Sequence, residues 1–271
     1  MIGVFDSGFG GLAIHRALTE ALPNADFVYL GDNKNSPYSV RPQIDILTLT
    51  CVGAERLFAQ GCELVLVVCN TSSTVALRWI QQQWLPSQTR RDGVKRNVLG
   101  VVVPTVEAAI GTPDDHVKTL GLFATWRTVN SNTYAEEIAK LSPDIRVFQQ
   151  ACPNLVAMIE EGAAPELLKA AVHRYVGELH QQMNGWPDRV ILGCTHYPLI
   201  IDMFREALPP GAIIIDQPAA VATSLKSYLR QHPEYQADNS GKRLFLATGE
   251  VSQEPPLVDW FWGEPIKFDK A

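Results

Sequence analysis

The sequence is short of three things: apolar runs long enough to span a bilayer, basic charge, and regularly spaced cysteine. A membrane-spanning helix needs about 20 consecutive apolar residues, and no stretch comes close, so a helical membrane protein is excluded. Lys and Arg number 23 against 29 Asp and Glu, a net charge of −6. That balance argues against a nucleic-acid partner, whose affinity comes mostly from cations neutralising phosphates. The five cysteines, Cys51, Cys62, Cys69, Cys152 and Cys194, are odd in number and irregular in spacing. A disulfide framework is therefore not expected, and the thiols should be free. The first residues, Ile2-Gly3-Val4-Phe5-Asp6, lack the basic start and long apolar core of an export signal, so the expected location is the cytoplasm.

What the chain does have is length and a globular composition. Its 271 residues, 46% hydrophobic and 19% charged, can bury a full core, and two domains are the expectation. One basic cluster, Arg90, Arg91, Lys95 and Arg96, lies in the polar stretch Pro86 to Arg96. It reads as a solvated connector, with a phosphate site as the competing reading.

Strand and helix signals alternate along the chain. A strand at Ile2 to Phe5 runs into Asp6-Ser7-Gly8-Phe9-Gly10-Gly11 and an apolar-periodic helix with Leu12, Leu18 and Leu22. The turn lacks the G-x-G-x-x-G spacing of dinucleotide sites, and its N–H groups predict an anion site suited to a small carboxylate. A strand at Phe27 to Leu30, the turn-rich loop Gly31 to Ser39, and a helix with Leu47, Cys51, Ala54 and Phe58 follow. Next come an apolar strand ending at Cys69 and a helix from Val75 to Trp84. After the connector, strands are predicted at Val98 to Val103, Thr119 to Ala124, Ile145 to Phe148 and Arg189 to Gly193. Helices are predicted near Val106 to Ile110, from Thr125, after Pro153 as far as Glu161, and from Pro165 to Met183. Ala212 to Ile215 and Leu244 to Ala247 read as strands with a helix between them, and Trp260, Phe261 and Trp262 as core or interdomain packing. This alternation predicts an α/β fold with doubly wound parallel sheets, the second half forming a unit of its own.

In such sheets ligands lie beyond the carboxyl ends of the strands, which predicts that Asp6, Ser7, Cys69, Thr125, Cys152 and Cys194 gather on one rim. The runs Leu64 to Cys69 and Arg189 to Cys194 echo each other, each ending at a cysteine that precedes a helix signal. A helix start lowers a thiol pKa from its usual value of about 8.5. Two such groups on opposite faces of one carbon could exchange proton donor and acceptor roles, which is the logic of a racemase. The plain alternative is two buried, inert cysteines. His196 reads as an auxiliary to Cys194 or as a satisfied core histidine, and Asp6 as an auxiliary or a helix cap. A zinc site from Cys69, Cys152, Cys194 and His196 lacks the paired ligand spacing of structural zinc. Cys51 and Cys62 read as packing residues, and Cys152 as lying near or under the site.

The motifs Ile2 to Gly11, Gly31-Asp32 with Pro37-Tyr38, Cys69-Asn70-Thr71, Ala151-Cys152-Pro153, Leu192-Gly193-Cys194-Thr195-His196-Tyr197-Pro198 and Ala247-Thr248-Gly249-Glu250 occur in one order. In that combination the sequence resembles the glutamate racemases of the cofactor-independent aspartate/glutamate racemase superfamily. The resemblance covers nearly the whole chain. It implies interconversion of L- and D-glutamate for peptidoglycan, with no cofactor and no metal, on a small amino-acid substrate. It implies Cys69 and Cys194 as the proton donors and acceptors, with Asp6 and His196 as their auxiliaries. Ser7, Tyr38, Ser39, Asn70, Thr71, Thr125, Thr128, Thr195 and His196, together with Asp6, would hold the substrate, with Glu160 and Cys152 behind them. It further implies two α/β domains with the active site in the cleft between them, the first built from residues 1–95 and 213–271 and the second from 96–212. A homodimer is compatible with it. The chain departs from the family at Asn33-Lys34-Asn35, Ser39, Ser72-Ser73 and Gln217, which leaves aspartate open as an alternative substrate and a non-catalytic amino-acid binder as the third reading.

Overall fold

A computed structural model of the chain describes residues 1–236, 240–250 and 255–271. In chain order the elements are β1 (Ile2–Asp6), α1 (Leu12–Ala21), β2 (Phe27–Gly31), α2 (Gln43–Ala59), β3 (Leu64–Val67), α3 (Asn70–Val75), α4 (Leu77–Trp79), α5 (Leu85–Asp92) and β4 (Asn97–Gly100). They continue with α6 (Val102–Ile110), β5 (Thr119–Ala124), α7 (Trp126–Ser131), α8 (Thr133–Leu141), β6 (Arg146–Ala151), α9 (Leu155–Glu160), α10 (Pro165–Met183), β7 (Arg189–Gly193), α11 (Ile201–Ala207) and β8 (Ile213–Ile214). The chain closes with α12 (Gln217–Gln231), β9 (Arg243–Ala247), α13 (Pro255–Trp262) and β10 (Asp269–Lys270). Two compact units result, Met1–Val101 with Pro218–Ala271, and Val102–Gln217.

The first unit holds a six-stranded sheet in the order β10-β9-β2-β1-β3-β4, parallel at every pairing. Strands β1, β2 and β3 are unbroken buried runs, as strands covered by helices on both faces must be. Helix α2 lays Ile46, Thr50, Ala54 and Leu57 on this sheet, over a core that includes Phe5, Val28, Leu30, Val65 and Val67. The second unit holds the four-stranded parallel sheet β6-β5-β7-β8. Helix α10 covers one face with Leu168, Val172, Tyr175, Val176 and Leu179, in a core shared with Phe123, Leu192 and Phe204.

In the first sheet β2 and β3 lie on opposite sides of β1, and in the second β6 and β7 lie on opposite sides of β5. The crossover direction therefore reverses beside β1 and again beside β5. Such switch points leave a crevice at the carboxyl edge of an open parallel sheet.

Several boundaries differ from the sequence reading. The predicted strand Val98 to Val103 is cut short, because α6 begins at Val102. The supposed polar connector is helical from Leu85 to Asp92, with Pro86 in its first turn and Gly93 at φ +76 ending it. Two of its cations are matched by carboxylates of the chain, Arg96 to Asp92 at 2.9 Å and Lys95 to Glu234 at 3.5 Å. The helix predicted over Val75 to Trp84 is broken into α3, α4 and a π-turn at Ile80–Trp84. Two helices, α7 and α8, follow Thr125 where the sequence predicts one, because Asn132 adopts φ +56 between them. Cys62 is buried in the core and Cys51 is half-buried against it. Of the aromatic trio, Phe261 is buried but Trp260 is exposed.

Trp262 instead stacks on His15 of α1, with centroids 5.3 Å apart at 25°. Phe27 and Phe245 meet the same imidazole edge-on at 5.5 Å, and Tyr29 lies at 5.4 Å. Among the described residues neither ring nitrogen of His15 has a hydrogen-bond partner. Burial, aided by the Arg243 cation, pushes its pKa down to about 3. The folded value lies below the unfolded one of about 6.5, so this stability is fully present above that pH and is lost as pH falls towards 3. At pH 5 the loss is about 2 kcal/mol. Urea unfolding at pH 7 and pH 5 should show His15→Phe losing about that much less stability on acidification than the parent chain.

Candidate active site

Strands β1 and β3 are neighbours, so the residues following them emerge side by side at the carboxyl edge of the first sheet. There Ser7 Oγ donates to Cys69 Sγ at 3.1 Å, and the Ser72 N–H reaches the same sulfur at 3.5 Å. Cys69 thus caps α3. Asp6, wholly buried, accepts at Oδ2 from the N–H groups of Gly8 at 3.2 Å and Gly11 at 3.0 Å and from the Tyr29 hydroxyl at 3.4 Å. Only glycine closes this turn, since a Cβ at Gly11 would sit 2.4 Å from Val68 and 2.8 Å from the Asp6 carboxyl carbon. The anion site predicted here for a bound carboxylate is occupied in part by the chain's own Asp6.

The helix start does not lower the Cys69 pKa as the sequence predicts. Burial and then the Asp6 charge push it up to about 11, outweighing the Ser7 and Ser72 hydrogen bonds. Helix α3 has six residues, and its dipole is a weak counterweight to burial. Asn70 and Thr71 begin α3 and are buried.

The loop after β2 is built on Asp32. Its carboxylate accepts from the hydroxyls of Tyr38 and Thr248, both at 2.6 Å, and from Asn35 at 3.0 Å. Asn33 Oδ1 accepts from the Gly249 N–H at 2.8 Å, and its Nδ2 donates to the Glu250 carbonyl at 3.2 Å. The departure from the family pattern at Asn33 therefore fastens this loop to residues 249 and 250, while that at Asn35 braces Asp32 from within the loop. Tyr38 is buried with its proton directed at Asp32, which leaves its hydroxyl only as an acceptor for a ligand, and the neighbouring Ser39 is half-buried.

The second unit repeats the arrangement at β5 and β7. Thr125 follows β5 and caps α7, its hydroxyl accepting from the Thr128 N–H at 3.3 Å and donating to the Thr128 hydroxyl at 3.1 Å. Cys194 follows β7, with His196 Nδ1 at 3.9 Å from its sulfur, and His196 Nε2 meets Glu160 Oε1 at 2.9 Å. Burial lowers the imidazolium, but the hydrogen bonds and charges of Cys194 and Glu160 prevail and push His196 up to about 10. Here thiol, imidazole and carboxylate form one relay. No α-helix starts directly after Cys194; a 3-10 turn at Tyr197–Ile200 intervenes before α11. Thr195 is buried beside it.

Cys152 follows β6, donates to the Gln150 carbonyl at 3.7 Å, and is raised in pKa by burial, so it is a protonated packing thiol. Gln217 donates to the hydroxyls of Thr105 at 2.8 Å and Tyr134 at 3.2 Å, filling a buried polar gap in the second unit. The predicted single rim is thus two edges, with Asp6, Ser7 and Cys69 on one sheet and Thr125, Cys152 and Cys194 on the other. Among the described residues no group of three or more His, Cys, Asp or Glu side chains is arranged to hold a metal ion, and no helix is long and apolar enough to cross a membrane. Sequence reasoning missed Tyr29 and the role of Asp32. A lone tyrosine in the all-buried run Phe27 to Leu30 was the available signal for the first.

The model of the Asp/Glu/Hydantoin racemase family matches residues 12–225. A protein of Phenylobacterium zucineum named glutamate racemase is 49% identical to this chain over 100% of it and 99% of its own length. The crystal structure of a glutamate racemase isoform from Bacillus anthracis superposes with a TM-score of 0.86 at 28% identity, covering 100% of this chain and 97% of the other. The structure of glutamate racemase from Francisella tularensis in complex with D-glutamate does so with a TM-score of 0.84 at 28% identity, over 98% and 95% of the two chains. With the family model spanning most of the sequence and near-half identity to a relative along its whole length, the chain belongs to the Asp/Glu/Hydantoin racemase family.

Proposed function

We propose that this chain interconverts L- and D-glutamate by passing protons to and from Cys69 and Cys194. The observation that carries this reading is the pair of buried thiols, each beside the switch point of its sheet and each with its own polar partner, Ser7 for Cys69 and the His196–Glu160 pair for Cys194. The names of the relatives, and D-glutamate in the Francisella tularensis structure, support glutamate as the substrate.

In this reading one sulfur, as thiolate, takes the Cα proton, and the electron pair left behind is delocalised into the substrate's α-carboxylate. The other thiol delivers its own proton to the opposite face. The two sulfurs have then exchanged protonation states, so the reverse reaction is the same path read backwards. Cys69, kept protonated at neutral pH by burial and Asp6, is the donor at rest. The scheme then assigns the acceptor role to Cys194, whose sulfur has the imidazolium of His196, held by Glu160, beside it. Ser7, Asn70, Thr71, Thr125, Thr128 and Thr195 offer hydroxyls and an amide for the substrate's carboxylates and ammonium, with the loop at Tyr38 and Ser39 bounding its side chain. The scheme calls on no cofactor and no metal. The product would serve peptidoglycan synthesis in the cytoplasm, and a homodimer is the assembly to test by sedimentation.

A chiral assay of each pure enantiomer in D2O should give Cα deuterium in the glutamate product, with aspartate turned over far more slowly. Aspartate as the better substrate would reassign the specificity to the loop at Asn33 to Ser39. Cys69→Ser and Cys194→Ser should each cut turnover by on the order of 10³-fold or more, and either variant racemising at the parental rate in both directions would sink the two-thiol scheme. Glu160→Gln keeps a hydrogen-bonding group beside His196 but removes the charge. The imidazolium should then lose its proton at lower pH, moving the alkaline limb of the kcat profile down by about one pH unit. An unmoved limb would remove His196 from the relay.

A further inference from the structure

Tyr29 is a tyrosine in the middle of the all-buried strand β2, with no exposed surface through which it could touch a substrate. Its hydroxyl lies 3.0 Å from the Gly8 carbonyl oxygen and 3.4 Å from Asp6 Oδ2, so it meets the chain on both sides of Ser7. The same strand grips this segment twice more. The Asp32 N–H donates to the Asp6 carbonyl at 2.9 Å, and the Gly8 carbonyl is seated so closely on Gly31 that a Cβ there would lie 2.6 Å from it. Between these fixed points the Ser7 side chain has one task on view, the 3.1 Å hydrogen bond to the Cys69 sulfur.

We propose that Tyr29 is a positioning residue for the Cys69 thiol, its one hydroxyl proton shared between the Gly8 carbonyl, the nearer acceptor, and the Asp6 carboxylate on the other flank of Ser7, and so holding the Ser7 hydroxyl on the sulfur. A hydrogen bond to sulfur favours the thiolate, so a serine held in place eases loss of the Cys69 proton, and a serine free to turn away does not. A buried tyrosine two residues from the end of a neighbouring strand thereby tunes a group it does not touch. For turnover this rests on the function proposed above; for thiol reactivity it does not.

Tyr29→Phe keeps the ring among His15, Phe245 and Phe268 and removes only the hydroxyl. The test compares Tyr29→Phe, Ser7→Ala and the double variant for the rate at which iodoacetamide labels Cys69 at pH 9, read by peptide mass, and for kcat and KM. A thiol that titrates near 11 is labelled through its small thiolate fraction, so a rise of about 0.5–1 pH unit slows labelling roughly 3–10-fold. Each single variant should slow labelling by that factor, and Tyr29→Phe, which cannot touch substrate, should lower kcat more than it changes KM. The double variant should be no slower than Ser7→Ala, because the tyrosine acts through the serine. Parental labelling in Tyr29→Phe, or effects that multiply in the double variant, would overturn the proposal. Phe268→Leu disturbs the ring packing of Tyr29 and leaves its hydroxyl, so it should lower Tm without slowing labelling. If it slows labelling as Tyr29→Phe does, packing is the cause and the hydroxyl is not. Should the chain racemise nothing, the labelling comparison still decides the matter.

Discussion

A parallel strand cannot be joined to its neighbour by a tight turn, and each connection must cross the sheet as a helix on one face or the other. Where consecutive crossovers leave a central strand in opposite directions, the helix starts diverge and the carboxyl edge of the sheet opens there. Strand β1 is such a centre in the first unit, and β5 in the second. Asp6, Ser7 and Cys69 stand at one opening, and Thr125 and Cys194 at the other. The remainder of each unit, its buried strands and the helices laid over them, keeps those openings in place.

The two thiols share a topology and differ in chemistry. Cys69 is enclosed, caps a short helix, has a hydroxyl on its sulfur, and has a carboxylate nearby that opposes ionisation. Cys194 has an imidazole within reach of its sulfur and a carboxylate behind the imidazole. Burial and a carboxylate hold the proton on Cys69, while the sulfur of Cys194 has a cationic imidazole beside it.

Burial decides more of the electrostatics than any local dipole. It raises Cys69 despite two hydrogen bonds, keeps Cys152 protonated, and holds His15 neutral within a shell of aromatic rings. At His196 specific partners overcome it, where a thiol and a carboxylate bear on the same ring. The close fit around Gly11 follows from the same packing, since the Asp6 carboxylate and Val68 together leave no room for a side chain.

The sequence by itself determined the alternation of strands and helices, the parallel sheets and the placing of both cysteines at strand ends, because period and strand-end position are local properties of the chain. Element edges such as the Val98 to Val103 strand and the Pro86 to Arg96 connector were less legible, since a proline or a positive φ can move a boundary without altering composition. Motif order named the family and pointed to candidate site residues. Only the tertiary structure decided that the glycine-rich turn holds Asp6, that Tyr38 is bound to Asp32, that Glu160 stands behind His196, and that Tyr29 braces Ser7. The hydrogen bonds behind the last two, His196 to Glu160 and Tyr29 to Gly8, span 36 and 21 residues of sequence, and bonds across such separations depend on which strands become neighbours, a choice made by the packing of whole layers and not by any local run of residues. The high thiol pKa of Cys69 was hidden for the same reason: the sequence shows a helix start, but burial comes from everything folded around it.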